Sequence, residues 1–470
     1  ILISFLQNSC GSKRISKKII VASSGKIESL DPARANTLKA IQLISSLGDT
    51  LYELNSNGEL IPELASGMPV ISKDRLQITI NLRKNVFFHD GTAFNSNAMK
   101  FTFDRFKRIG TMNYILGNKI KSIETPSEYS VIINLNKPSS SLNGLLTSVN
   151  LTPISPTFYK QYSDKFLNEK FVGTGKYVLT SFSNEVQSID PYLNYWGEKP
   201  LNNGVNFVGY SNSSSLFGAL KSKQIDVLLS NSIDDSQRKS LNNLSKNKQF
   251  NEGNSPFTEL SFISLKTSSY PLSNLNLRLA LAKSLNRKLI SEKVSYGLRK
   301  PSRSIIPPIL KKDNQELWPK YDYLEARRLL QKENYCNGNI LKIPLTYRSN
   351  VPADKLIALT WQEEIKSSLK DCIDIELNGV ESTTVYKNLS LGIYTAVLLD
   401  WTGAYSDPEA YLTPLLSCNE IVDGICKKGE SVYSGSFWGS NKVESLFLES
   451  EKISGIKRLE KLVEIEKIAA

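Results

Sequence analysis

Short apolar runs alternate with longer amphipathic ones along the whole chain. "KIIVASS" (18–24) has the length and β-branched content of a buried strand, and apolar positions at helical spacing follow over 38–51. "QITINL" (77–82) and "SVIINL" (130–135) alternate apolar and polar residues as half-buried strands do. Between them, 95–106 places Ala98, Phe101, Phe103 and Phe106 on a helical stripe, with Asn95 or Ser96 as its cap. "FVGTGKYVLTSF" (171–182) predicts a turn leading into a strand. A polar stretch rich in Asn, Ser and Lys (241–254) predicts a surface connection; "ELSFISL" (259–265) then predicts a strand and 276–290 one continuous helix. Further helices are predicted over 322–335 and over 354–370, where Ile357, Trp361, Ile365 and Leu369 recur four apart. "DIELNGV" (374–380) and "YTAVLL" (394–399) return as strands. Strands alternating with helices, with no repeated unit visible, predict an α/β protein with mixed sheets.

At 470 residues the chain is too long for a single core, which predicts two or three domains. The formal net charge of +12 raises nucleic acid as a partner. Lys and Arg are scattered, however, usually beside Asp or Glu, and no ladder of basic and aromatic residues marks a strand-binding groove. The charge therefore reads as solvated surface, with no nucleic-acid partner. No internal apolar run reaches the roughly 18 residues of a membrane helix. The first segment, "ILISFLQNSCGSK", resembles the end of a lipoprotein signal: an apolar stretch, then Cys10, then a basic tether reaching residue 17. It departs from that pattern at Gln7, where an aliphatic residue is preferred. The expectation is an exported protein lipidated at Cys10.

Export makes the other four cysteines disulfide candidates. Cys418 and Cys426 flank the short loop "CNEIVDGIC", leaving Cys336 and Cys372 as the second pair. No CxxC spacing occurs and His89 is the single histidine, so no metal site is expected. His89 lies beside Asp90 in "FFHDGTAF", but no GxSxG elbow accompanies it. Asp407 and Glu409 suit a helix N-terminus better than acid–base work. In "GTGKY", Tyr177 stands where a phosphate loop needs Ser or Thr. No catalytic constellation assembles and no cofactor is called for, which predicts a binding protein rather than an enzyme.

"DWTGAYSDPEAY" (400–411) follows the predicted strand 394–399 and packs a Trp, two Tyr, a Gly and an Asp-Pro into twelve positions. It is one of six segments that occur in a telling order: "SLDPARANT", "LIPELASGMPVISKDRLQITINLRKNVFFHDGTAFNSNAMKFTFDR", "VGTGKYVL", "YWGEKP", "NLRLALAKSLNRKLI" and "WTGAYSDPEAYLTPLLSC". In this order they resemble the extracellular solute-binding proteins of the peptide/nickel import family, the oligopeptide- and dipeptide-binding components of ABC importers. The resemblance runs from about residue 18 to the end. Asn286 replaces an Asp that the family carries in the fifth segment.

The resemblance implies a two-lobed, hinged periplasmic-binding-protein-like fold of type II with an inserted domain. The first lobe would take 18–50 and 168–256, the inserted domain 51–167 and the second lobe 257–470, with the family's C-terminal return to the first lobe absent. A peptide would add as an extended strand between Asn36, Thr37 and Leu38 of the first lobe and Trp401, Thr402, Gly403, Ala404 and Tyr405 of the second. Gly403 would allow close backbone approach, Trp401 and Tyr405 would form walls, and Tyr114 would line the site. Arg348 would take a ligand carboxylate. Peptide binders of the family carry an Asp four residues before the Pro, where it holds the ligand's ammonium group; here that position is Ala404. Either the solute lacks a free amine there or another acid, Asp400, replaces it. The implied partners are a peptide or peptide-like solute and the importer's permease, and the implied place is the periplasm, on the outer face of the inner membrane, as a monomer. Nickel or a nickel chelate is the alternative ligand; an exported hydrolase is a more remote one.

Overall fold

The computed structural model describes residues 18–24, 26–35, 37–55, 59–111, 119–162, 164–229, 233–253, 258–311 and 316–470. Cys10 with the 1–17 tether, Asn36 and Tyr114 lie outside them.

Three larger sheets organise the chain, and the mixed α/β expectation holds. In the first, Ile19–Ser24 lies parallel to Val205–Tyr210 on one side and Val227–Leu228 on the other, and Val186–Pro191 and Tyr177–Phe182 extend it antiparallel. The second is a four-stranded antiparallel sheet in the order Val70–Ile71, Gln77–Asn81, Ser130–Leu135, Ile120–Ser127. The third runs Glu259–Leu265, Ala396–Thr402, Leu341–Arg348, Ile373–Val380. Its first pair is antiparallel and the rest parallel. Each sheet has its own apolar core. A further core is built by the late helices Glu409–Leu416, Asn441–Ser450 and Gly455–Ala469.

The predicted helix at 95–106 is Ser96–Ile109, capped by Asn95, whose side chain accepts from Ala98 N at 3.1 Å. Its faces serve two cores. Ala98, Phe103 and Phe106 enter the core of the antiparallel sheet, whereas Phe101 packs on that of the five-stranded sheet.

One predicted helix ends early and another is interrupted. The first stops at Leu47, because the chain must turn where Gly175 presses on it: a Cβ at Gly175 would sit 2.5 Å from Gly48 N. Gly175 N also donates to Leu47 O (3.0 Å), so the "GTG" turn caps the end of that helix. The second, expected to be continuous over 276–290, breaks into Leu275–Ser284 and Arg287–Ser295. Asn286 caps the second piece by accepting from Leu289 N at 3.0 Å, a local hydrogen bond that competes with continuing the helix.

Two disulfides join Cys336 to Cys372 and Cys418 to Cys426. No described helix is long and apolar enough to cross a membrane.

Candidate functional site

Strand Ala396–Thr402 carries the candidate segment. On one side every residue pairs with Glu259–Leu265, Trp401 opposite Leu260 and Thr402 opposite Glu259. On the other side only Ala396 and Val397 pair, with Leu345 and Thr346. From Leu398 onward that edge has no strand partner among the described residues. The chain then leaves the sheet through Gly403 and Ala404 and enters helix Glu409–Leu416.

Each side chain of this segment has a definite place. Trp401 is half-buried against the late-helix core and donates from Nε1 to Ala410 O at 2.8 Å. Thr402 is exposed and Ala404 half-buried. The space a Cβ on Gly403 would need is filled by the Tyr411 ring, with Cε2 at 2.6 Å. Tyr411 in turn donates to Thr258 O at 2.8 Å. Gly403 is therefore required by this unit's own packing on that face. Tyr405 packs against both the antiparallel-sheet core and the late-helix core. Burial pushes its hydroxyl above the ordinary phenol range, and the Glu409 charge adds to this.

Arg348, at the end of its strand, is bound on every side. Its Nε and Nη2 donate to Asp354 (2.7 and 3.0 Å), and its Nη1 and Nη2 donate to Asp400 (2.6 and 3.0 Å). Nη1 also reaches the Tyr386 hydroxyl at 2.8 Å. All five donors of the guanidinium thus have acceptors within the chain. Burial alone would lower its pKa, but the two carboxylates outweigh that and raise it. As the chain stands, Arg348 holds Asp400 beside Trp401 instead of offering a free fork. A ligand carboxylate could reach it only by displacing one of these partners; the Asp400 side chain is 35% exposed.

Thr37 starts the helix Leu38–Leu47, its Oγ accepting from Ala40 N at 3.4 Å. It lines a cavity of about 260 Å³ with Glu28, Arg34, Ala35 and Thr111, and none of Trp401 to Tyr405 is among the lining residues. Asn150 fixes the turn beneath this cavity by donating to Pro32 O and Ala35 O (2.8 and 2.7 Å). Sequence reasoning missed Glu28 and Arg34. The only local signal was their nearness to the Asp-Pro turn.

His89 is placed elsewhere. Its Nε2 lies 3.0 Å from Gly175 O and its ring stands edge-on to Tyr192. Burial pulls its pKa below the usual imidazole value. Among the described residues, no group of three or more His, Cys, Asp and Glu is placed to hold a metal ion.

Residues 59–423 match the bacterial extracellular solute-binding proteins, family 5 Middle. The chain is 26% identical over 442 residues to the glutathione-binding protein GsiB of Escherichia coli O6:K15:H31 (strain 536 / UPEC), covering 93% of this chain and 83% of that protein. Among solved structures, it is similar to NikA from Brucella suis in complex with Fe(III)-EDTA. The TM-score is 0.83 at 21% identity, over 96% of this chain and 91% of that one. It is also similar to the unliganded open form of MppA, a periplasmic murein tripeptide binding protein, at TM-score 0.76 and 21% identity over 97% and 89%. These likenesses give the fold: the type II, two-lobed periplasmic binding protein.

Proposed function

The chain belongs to the bacterial extracellular solute-binding proteins of family 5, and from that premise we propose that it is the extracytoplasmic receptor of an ABC importer, binding a peptide or peptide-like solute between two lobes and delivering it to the permease. In this reading 18–50 with 168–256 is the first lobe, 51–167 the inserted domain and 257–470 the second lobe. The division is supported by each of the three large sheets drawing its strands from one of these sets. The protein binds and releases its solute without chemistry. It works in the periplasm as a monomer tethered through Cys10, so Cys10→Ser should move it from the membrane fraction to the soluble one; unchanged fractionation removes the tether.

The observation that carries the ligand class is the strand edge beyond Val397. A row of main-chain donors and acceptors without a strand partner among the described residues accepts an extended peptide and reads little of its side chains. Trp401 and Tyr405 flank it. The relatives point the same way, since glutathione and a murein tripeptide are both short peptides. The alternative of nickel or a nickel chelate has support from likeness of fold; His89, engaged with Gly175 and Tyr192, adds none.

Ala404 sets the finer expectation. A buried ammonium without a carboxylate costs several kcal/mol, and both oxygens of Asp400 already accept from Arg348. Peptides blocked at the amine should therefore bind as well as free ones. Thermal unfolding with di- to pentapeptides, their N-acetylated forms and glutathione tests this. A ligand at about 100 times its Kd adds about 2.7 kcal/mol and raises Tm by a few degrees. Equal shifts from free and acetylated peptides are expected. A shift from free peptides alone would place an ammonium anchor at Asp400, and no shift from any of them removes the peptide assignment.

A further inference from the structure

Lys119 sits just before strand Ile120–Ser127 and points at the late helices. Its Nζ donates to Ser141 Oγ at 2.6 Å and to Glu409 at 3.1 Å, and it lies 3.6 Å from Glu451. Arg458 closes the cluster from the last helix, pairing with Asp407 (2.8 and 2.9 Å) and Glu409 (2.9 Å). Ser140 N donates to Glu451 at 2.6 Å, and Ser140 Oγ bonds Glu451 O and Ile453 O in the turn between the last two helices. Arg75 Nη2 reaches Ser140 Oγ at 3.0 Å. The Tyr405 ring, from the candidate ligand segment, lies against Gly144.

Two features set this contact apart from a core. Tyr405 is the one hydrophobic side chain, among the described residues, packed on both the antiparallel-sheet core and the late-helix core. The other cross-contacts named above are ion pairs and hydrogen bonds. Ion pairs of this kind gain and lose comparable energy when separated and rehydrated, so parting the two surfaces need not cost much.

We propose that Lys119, Glu409, Glu451 and Arg458 form an ionic latch that holds the inserted domain against the second lobe and couples that closure to the ordering of Tyr405. The inference rests on the two-lobed reading above and is independent of which solute binds.

The latch is pH-dependent through Glu451. Burial and the charge of Glu409 push its pKa up to about 7, against the pull of Lys119, the Ser140 amide and Arg458. Asp407 and Arg75 complete the charged groups facing the cluster. Protonating Glu451 removes its repulsion with the buried Glu409 carboxylate. A separated, hydrated Glu451 has the ordinary carboxylate pKa near 4.3, so the closed state binds the extra proton. Closure is therefore strongest in acid and weakens as pH rises towards 7.

Small-angle scattering on the ligand-free chain between pH 5 and 8.5 tests this, together with hydrogen exchange at the Ser140 amide. Lys119→Met should shift the closed-to-open ratio about tenfold towards open. The radius of gyration should rise by about 1 Å above the roughly 23 Å of a compact chain this long, and protection at Ser140 should fall. Glu451→Gln, which keeps the acceptor for Ser140 and removes the titration, should stay closed across the range while the parent loosens. If Lys119→Met does not fold, this second variant still decides. A folded Lys119→Met as closed as the parent, or a Glu451→Gln that loosens with pH in step with the parent, overturns the latch. Peptide-induced Tm shifts alongside that result would leave the receptor reading standing; a working latch with no peptide shift would do the opposite.

Discussion

Replacing Arg105 by Met should destabilise the unit built from the first two sheets by about 3–5 kcal/mol, the largest effect expected of any single substitution in the chain. Arg105 comes from helix Ser96–Ile109 and meets Asp31 of the Asp-Pro turn through two parallel bonds, 2.8 and 2.6 Å. The two side chains are 2% and 0% exposed. Asp31 also accepts from Ala33 N and Leu167 N, and Arg105 donates to Lys165 O and lies over the Tyr159 ring. Removing the guanidinium leaves a buried carboxylate held by two backbone amides alone, which is why breaking such a pair costs more than the pair contributes. Asp31→Asn should destabilise less, because it leaves a neutral acceptor. The double variant should recover part of the loss, since the uncompensated charge is gone. Denaturant unfolding of the three variants gives the coupling directly. Strict additivity, or a loss below about 1 kcal/mol for Arg105→Met, would refute the account.

That pair shows what was legible in the sequence. The strands at 77–82 and 130–135, the capped helix after Asn95 and the buried strand before Trp401 all follow from local spacing, and local spacing is what forms them. The break at Asn286 had its signal in a residue that favours caps, but apolar spacing continues across it and hides it. The segments that carry the family resemblance do another job: they are the buried polar joints of the fold. Asp31 and Arg105 are 74 residues apart and meet across two units. Thr174 of the "GTG" turn and Trp196 of "YWGEKP" meet on Asp49, both at 2.9 Å, with Tyr195 at 3.1 Å. No periodicity predicts a contact over such separations. For the same reason Arg348 read as a ligand group, when two acids that the sequence places 6 and 52 residues away already hold it. A charged residue in a loop looks alike whether solvent, ligand or another loop is its partner.

Glu63 gives the second large effect, and it appears only as pH is varied. It lies beside Asp49 and Glu53 and accepts from Thr50 N and Thr50 Oγ at 2.9 and 3.1 Å. Burial, then the hydrogen bond shared with Glu53 and the neighbouring carboxylate charges, push its pKa up to about 9. Burial likewise raises Asp49. The unfolded chain releases the Glu63 proton near pH 4.3, whereas the folded chain keeps it. Stability is therefore fully present below that value and falls as pH rises, until the folded group titrates near 9. Glu63→Gln mimics the protonated state: its oxygen still accepts from Thr50 and its amide still donates to Glu53. The variant should match the parent near pH 4 and exceed it increasingly through neutrality, by on the order of 2 kcal/mol at pH 8 after allowing for the proton being shared. Tm measured at half-unit pH steps for parent and variant reads this as two diverging curves. Parallel curves would mean that Glu63 is ionised in the folded chain, and a variant less stable than the parent at pH 8 would mean that its charge is held by a cation rather than opposed by Glu53.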